Sequence, residues 1–186
     1  MPKRGMRWRH VIINTKSSWL HGDKRGFRSR DHRIHSSGDY KNRPPESEHE
    51  GLRDYMLEHS SDRVHIPLKL RVTILQALVA RLRKEGFVIL TASVGAFHAH
   101  ALVELPDHRG TVRQIVGRCK QCACEAVKRE LPGSIWSAGG EFKPVDTGSH
   151  QRRAYNYIYE DQEPDAATWS YKDNVFRAPR EDPGRR

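Results

Sequence analysis

Everything else in the chain has to be arranged around the segment Phe97-His98-Ala99-His100-Ala101-Leu102-Val103-Glu104-Leu105. It is apolar, of strand length, and bounded by Gly95 and Pro106, so it reads as a β-strand. Side chains alternate across a strand. His98 and His100 therefore share one face, while Phe97, Ala99, Ala101, Val103 and Leu105 share the other. Two imidazoles side by side on a rigid strand make half of a metal site. The alternative is two half-buried histidines, each satisfied by a backbone or side-chain partner.

The flanking patterns give the histidine strand its neighbours. Trp8 to Thr15 is rich in β-branched residues and reads as a first strand. Pro67 to Lys84 reads as a helix, with Pro67 near its start, Leu68, Val72, Leu75, Val79 and Leu82 on one face, and Gly86 ending it. Phe87 to Val94 is an apolar strand whose tight connection makes it an antiparallel neighbour of the histidine strand. Thr111 to Leu131 is a second helix, broken by Pro132-Gly133. Ile135-Trp136 and Glu141 to Val145 read as an edge hairpin or bulged strand. A last helix runs from Ser149, a plausible N-cap, to Glu163, closed by Pro164. It carries Tyr155, Tyr157 and Tyr159, and beyond it Trp169 and Tyr171 can pack back on the body.

This order is βαββαβ plus a C-terminal helix, which predicts an α+β, ferredoxin-like antiparallel sheet with helices on one face and the histidine strand central. The expected organisation is a single domain over 1–171, with a long insertion at about 20–63 and a polar tail at 172–186. The pattern dissolves between Ser17 and Arg63. Turn residues there alternate with Arg25, Arg28, Arg30 and Arg33, with histidines, and with Trp19, Phe27 and Tyr40. Cations interleaved with aromatics suit a nucleic-acid strand, phosphates meeting the charges and bases stacking on the rings. A surface excursion that merely covers the sheet is the alternative.

Charge argues in the same direction. The 186 residues carry a formal net charge of +10. The excess is arginine-heavy, and arginine's planar fork binds phosphate oxygens in pairs. A polyanion, nucleic acid first, is the expected partner. No apolar run reaches the length of a membrane span, which leads to the expectation of a cytosolic protein. Cys119, Cys122 and Cys124 are an odd, crowded set that supports no disulfide framework. Cys119 and Cys122 lack a second pair to complete a zinc site, and their spacing on an apolar helix face points to the core.

The combination of Phe97-His98-Ala99-His100-Ala101-Leu102-Val103 with Tyr157-Ile158-Tyr159-Glu160-Asp161 and the adjoining Gln162 resembles the HUH single-tyrosine transposases, a group that includes the REP-associated tyrosine transposases. Trp8-x-His10-Val11-Ile12 and Lys143-Pro144-Val145 also look like that family, and the likeness spans about Arg7 to Tyr171. It implies a metal-dependent transposase that cleaves and rejoins single-stranded or hairpin DNA through a 5′-phosphotyrosine, using Mg2+ or Mn2+, as a monomer or homodimer. It implies Tyr157 as nucleophile, with Tyr159 in reserve. It implies His98 and His100 as metal ligands, with Lys143 beside the DNA.

The chemistry is consistent with that implication. Attack on a phosphodiester needs an oxygen nucleophile and a cation to offset charge building on the phosphate. Two imidazoles with a carboxylate or amide leave positions open on a divalent ion. Asp161, four residues after Tyr157, would share its helix face as third ligand, with Gln162 in reserve should the register change by one residue. Two readings compete: a non-catalytic nucleic-acid-binding module on the same fold, and a zinc protein using His98, His100 and a cysteine.

Overall fold

The computed structural model describes residues 2–23, 26–27, 35–37, 45 and 47–179. Strand β1 (Met6–Asn14) alternates as expected: Arg9, Val11 and Ile13 are buried, while the intervening residues are only partly covered or exposed. Two compact units make up the chain, Met1–Thr15 with Val64–Arg186, and Lys16–Arg63. The second contains helix α1 (Glu50–His59), none of whose residues is buried. The expectation of a patternless insertion is thus corrected. Arg25, Arg28, Arg30 and Arg33, the proposed phosphate contacts, lie outside the described residues.

The larger unit continues with α2 (Leu68–Lys84), β2 (Ile89–Val94), β3 (His98–Pro106), α3 (Arg109–Ala126), β4 (Glu141–Pro144), α4 (Gly148–Tyr159), β5 (Ala167–Ser170) and β6 (Phe176–Arg177). All pairings are antiparallel, in the order β4-β1-β3-β2-β5-β6. The histidine strand β3 lies between β1 and β2, as expected of a ferredoxin-like sheet. Strands β5 and β6 were not anticipated. All four residues of β5 are buried, so the segment carrying Trp169 pairs with β2 rather than merely packing on the body. The polar tail likewise contributes β6.

The two faces of the sheet are covered differently. Val11, Ile13, Ala92, Val94, Ala99, Val103 and Leu105 pack with Ile74, Leu75 and Val79 of α2 and Val112, Ile115 and Val116 of α3. On the opposite face Leu102 meets Val145 and α4's Ala154, Tyr155 and Ile158. Helices α2 and α3 thus share one face as expected of a ferredoxin-like sheet, and the added tyrosine-bearing helix α4 takes the other. Helix α4 lies on the face from which the even-numbered residues of β3 project, its Ala154, Tyr155 and Ile158 meeting Leu102 there. The buried face of α2 also centres on Leu70, Ile74 and Leu78, leaving Leu68 and Val72 only half-buried. Arg71, 2% exposed, ties α2 to the chain after α4: its guanidinium donates to the Ile66 and Asp165 carbonyls and pairs with the Asp165 carboxylate at 2.9 Å.

Candidate active site

The register of the sheet assembles a histidine cluster. Asn14 pairs with His98, Ile12 with His100 and His10 with Leu102, so even-numbered residues of β1 and β3 share one face. His10 is a diagonal neighbour of His100, within reach of a ring. Its Nε2 lies 2.9 Å from His100 Nδ1. The rings of His98 and His100 stand 4.8 Å apart, as their spacing demands. On β2, Ser93 pairs with His100, and its buried hydroxyl has no partner among the described residues. Burial holds both His10 and His100 neutral. The His100 pKa is pushed down to about 2, by desolvation first and then by His98, His10 and Lys143. The His10 pKa falls to about 4, again chiefly by desolvation and then by Lys143.

Helix α4 brings one tyrosine to this cluster. The ring of Tyr157 meets His100 edge-on with centroids 5.7 Å apart, and His10 at 5.9 Å. Tyr157 is 45% exposed, so its face of the site is open. The other two tyrosines are engaged elsewhere. Tyr155 is buried, with its hydroxyl 2.6 Å from Ser170 Oγ. Tyr159 donates to Asp173 at 3.1 Å beneath the Arg177 guanidinium, and burial together with that hydrogen bond pushes its phenol up to about 12. A phenol so raised is harder to ionise than an ordinary one near 10. The structure thus sets Tyr157 against the histidines and draws the reserve residue, Tyr159, toward β6.

The end of α4 places Asp161 and Gln162 differently from an uninterrupted helix. Helix α4 begins one residue earlier than predicted, with the Thr147 side chain rather than Ser149 as cap, and ends at Tyr159. The Asn156 carbonyl accepts from both the Glu160 and the Asp161 amides. That i to i−5 bond widens the last turn. Asp161 falls on the exposed side, and its carboxylate has no hydrogen-bond or ion-pair partner among the described residues. The four-residue spacing that would align Asp161 with Tyr157 no longer holds once the helix has ended. Gln162 turns inward instead. Its Nε2 donates to the Tyr157 carbonyl at 3.0 Å, and its Oε1 lies 3.4 Å from His98 Nε2.

Among the described residues no group of three or more His, Cys, Asp and Glu side chains is set to hold a metal ion. A set of His98, His100 and the amide oxygen of Gln162 does suit a divalent cation. The 3.4 Å between His98 Nε2 and Gln162 Oε1 is long for a hydrogen bond. It lies within the span of two atoms that each bind one small cation at about 2.1 Å. Cys119, the cysteine that the zinc reading needs, does not join this set. Cys119 is buried with Ala99 and Val103 on the opposite face of the sheet, and burial pushes its thiol up to about 12. This removes the zinc reading.

Two residues reach the site without a role legible in the sequence. His10 alternates correctly on β1, but only the strand register discloses its partner. Glu163 follows the helix, and its carboxylate lies so close to the turn between β2 and β3 that a Cβ on Gly95 would meet it at 3.1 Å and His98 Nε2 at 3.7 Å. Lys143 pairs opposite His10 across the β1–β4 ladder, largely exposed and bridged to Glu141 at 2.9 Å.

No helix among the described residues is long and apolar enough to cross a membrane. No protein-family model matches the chain, and no curated protein matches it. Among solved structures, that of a REP-associated tyrosine transposase bound to a REP hairpin is similar to it, with a TM-score of 0.44 and 15% identity, over 84% of this chain and 66% of the other.

Proposed function

We propose that the protein is a metal-dependent nuclease and strand transferase that cuts and rejoins single-stranded DNA through Tyr157. The observation that carries this reading is the side chain of Gln162. Its Nε2 donates to the Tyr157 carbonyl and its Oε1 faces His98 Nε2 at 3.4 Å, while the Tyr157 ring rests on His100 and His10. One short segment thereby couples a solvent-accessible phenol to an imidazole pair.

In the proposed reaction the Tyr157 oxygen attacks the phosphorus of a DNA strand. The new O–P bond replaces the bond to the 3′ oxygen, giving a 5′-phosphotyrosine. The departing 3′ oxygen takes up a proton, matching the one that the phenol gives up. Attack by another 3′-hydroxyl reverses the step and joins strands without an external energy source. His98, His100 and Gln162 would hold Mg2+ or Mn2+, which supplies the positive charge that offsets charge on the phosphate oxygens. Lys143 and the arginines of the 25–33 stretch would position the strand through its phosphates.

The test is incubation with 5′- or 3′-labelled single-stranded and hairpin DNA in Mn2+, followed by a denaturing gel. The expected result is a covalent adduct with the wild type that is lost in Tyr157→Phe and His98→Ala. DNA binding without an adduct under any metal condition would overturn the catalytic assignment and leave a binding module.

A further inference from the structure

We infer that His10 is a positioning residue that holds His100 in the tautomer whose Nε2 is unprotonated and able to bind a cation. The inference rests on the proposed role of His100 as a metal ligand, and goes beyond it by assigning a function on β1.

The starting point is the contact between His10 Nε2 and His100 Nδ1 at 2.9 Å. A hydrogen bond between two imidazoles needs one proton between the nitrogens. His100 is 6% exposed and His10 partly buried, and at 2.9 Å only one of the two facing nitrogens can carry a proton. For two imidazoles with a single N–H each, that leaves two arrangements. In the first, His100 donates from Nδ1 to the lone pair on His10 Nε2. His100 Nε2 is then a bare lone pair, and His10 carries its own proton on Nδ1. In the second, His10 donates from Nε2, the His100 proton moves to Nε2, and that nitrogen can no longer ligate. Only the first serves a metal site. A ligating imidazole whose other nitrogen donates to a fixed acceptor has its ring orientation and tautomer set in advance.

Three observations separate this contact from incidental packing. The β1–β3 register fixes His10 diagonal to His100 on the same face, so the bond is made by the sheet itself. His100 is 6% exposed, so water cannot readily replace His10 as acceptor. The ring of Tyr157 touches both imidazoles, which makes His10 part of the wall against which the phenol is held.

The experiment measures Mn2+ binding without DNA, by the loss of the free-ion electron-spin-resonance signal, for the wild type, His10→Ala and His10→Gln. The glutamine amide oxygen can accept from His100 Nδ1, whereas alanine cannot. His10→Ala is expected to weaken Mn2+ binding about 10- to 100-fold, and His10→Gln to recover most of the loss. Long-range 1H–15N spectra of the metal-free wild type at neutral pH are expected to place the His100 proton on Nδ1. A proton on His100 Nε2, or wild-type Mn2+ affinity in a folded His10→Ala, overturns the inference. Should His10→Ala not fold, the wild-type tautomer still decides. A wild type that binds no Mn2+ and forms no adduct removes the metal reading itself. A wild type that does both, beside an unaffected His10→Ala, removes only the role of His10.

Discussion

Replacing each of the three helix tyrosines by phenylalanine deletes one oxygen in three different surroundings, and the structure assigns each a different outcome. Tyr155→Phe removes a buried hydroxyl 2.6 Å from Ser170 Oγ. A buried hydrogen bond contributes about 0.5–1.5 kcal/mol net, and an orphaned partner adds to the cost. Ser170 Oγ still accepts from the Lys172 amide at 3.1 Å, so it is not left wholly unpaired. The expected loss is about 1–1.5 kcal/mol, a fall in Tm of roughly 2–6 °C at this chain length. Tyr157→Phe removes a hydroxyl with no partner among the described residues, from a side chain 45% exposed. Its stability should stay within about 0.5 kcal/mol of wild type. Tyr159→Phe releases Asp173 and Arg177 at the surface and should leave the site intact. Urea unfolding gives the stabilities, and a denaturing gel after incubation with labelled single-stranded DNA and Mn2+ gives the adduct. Only Tyr157→Phe should lose the adduct, and only Tyr155→Phe should lose appreciable stability. If Tyr157→Phe keeps its adduct while Tyr159→Phe loses it, the assignment of the nucleophile is wrong. If Tyr157→Phe unfolds as readily as Tyr155→Phe, the phenol is a structural element.

Acid should weaken the metal-free fold through buried His100 and partly buried His10. Both have folded pKa values below the unfolded value of about 6.5, so the unfolded chain binds more protons as pH falls. Stability is fully retained above about 6.5 and declines below it, His10 and His100 each contributing a slope of about 1.4 kcal/mol per pH unit down to about pH 4. Urea midpoints in chelator that do not change between pH 7 and 5 would show that the rings are solvated. Ile158→Ala, at a fully buried position where α4 meets Leu102 and Val145, should cost about 2–5 kcal/mol by urea unfolding. A loss under 1 kcal/mol would mean that α4 is not packed on this face. Neutralising Arg25, Arg28, Arg30 and Arg33 together should flatten the salt dependence of single-strand binding by about 0.7 per lost phosphate contact; an unchanged slope in a salt titration would show that these arginines do not touch DNA.

The local patterns of the chain already determine β1 to β4 and α2 to α4, though not α1, β5 or β6, together with the central place of β3 and the common face of His98 and His100. These are properties of one- to four-residue periodicities, and two-residue alternation projects two histidines together whatever surrounds them. The tertiary structure decided what lies opposite them. The partner of His10 depends on which residue of β1 pairs with Leu102, a register set between distant strands. The side of the sheet taken by α4 depends on whether its apolar residues meet Leu102 or the face already filled by α2 and α3. That Gln162 rather than Asp161 faces His98 follows from a single carbonyl, that of Asn156, accepting two amides as the helix ends. Helical spacing places Asp161 beside Tyr157 only if the helix persists, and it stops at Tyr159. Residues that one element aligns are therefore legible in the chain, and Gln162 is legible there as the alternative to Asp161, whereas the approach of His10 to His100 and of Glu163 to the β2–β3 turn comes only through pairing and chain reversal between elements.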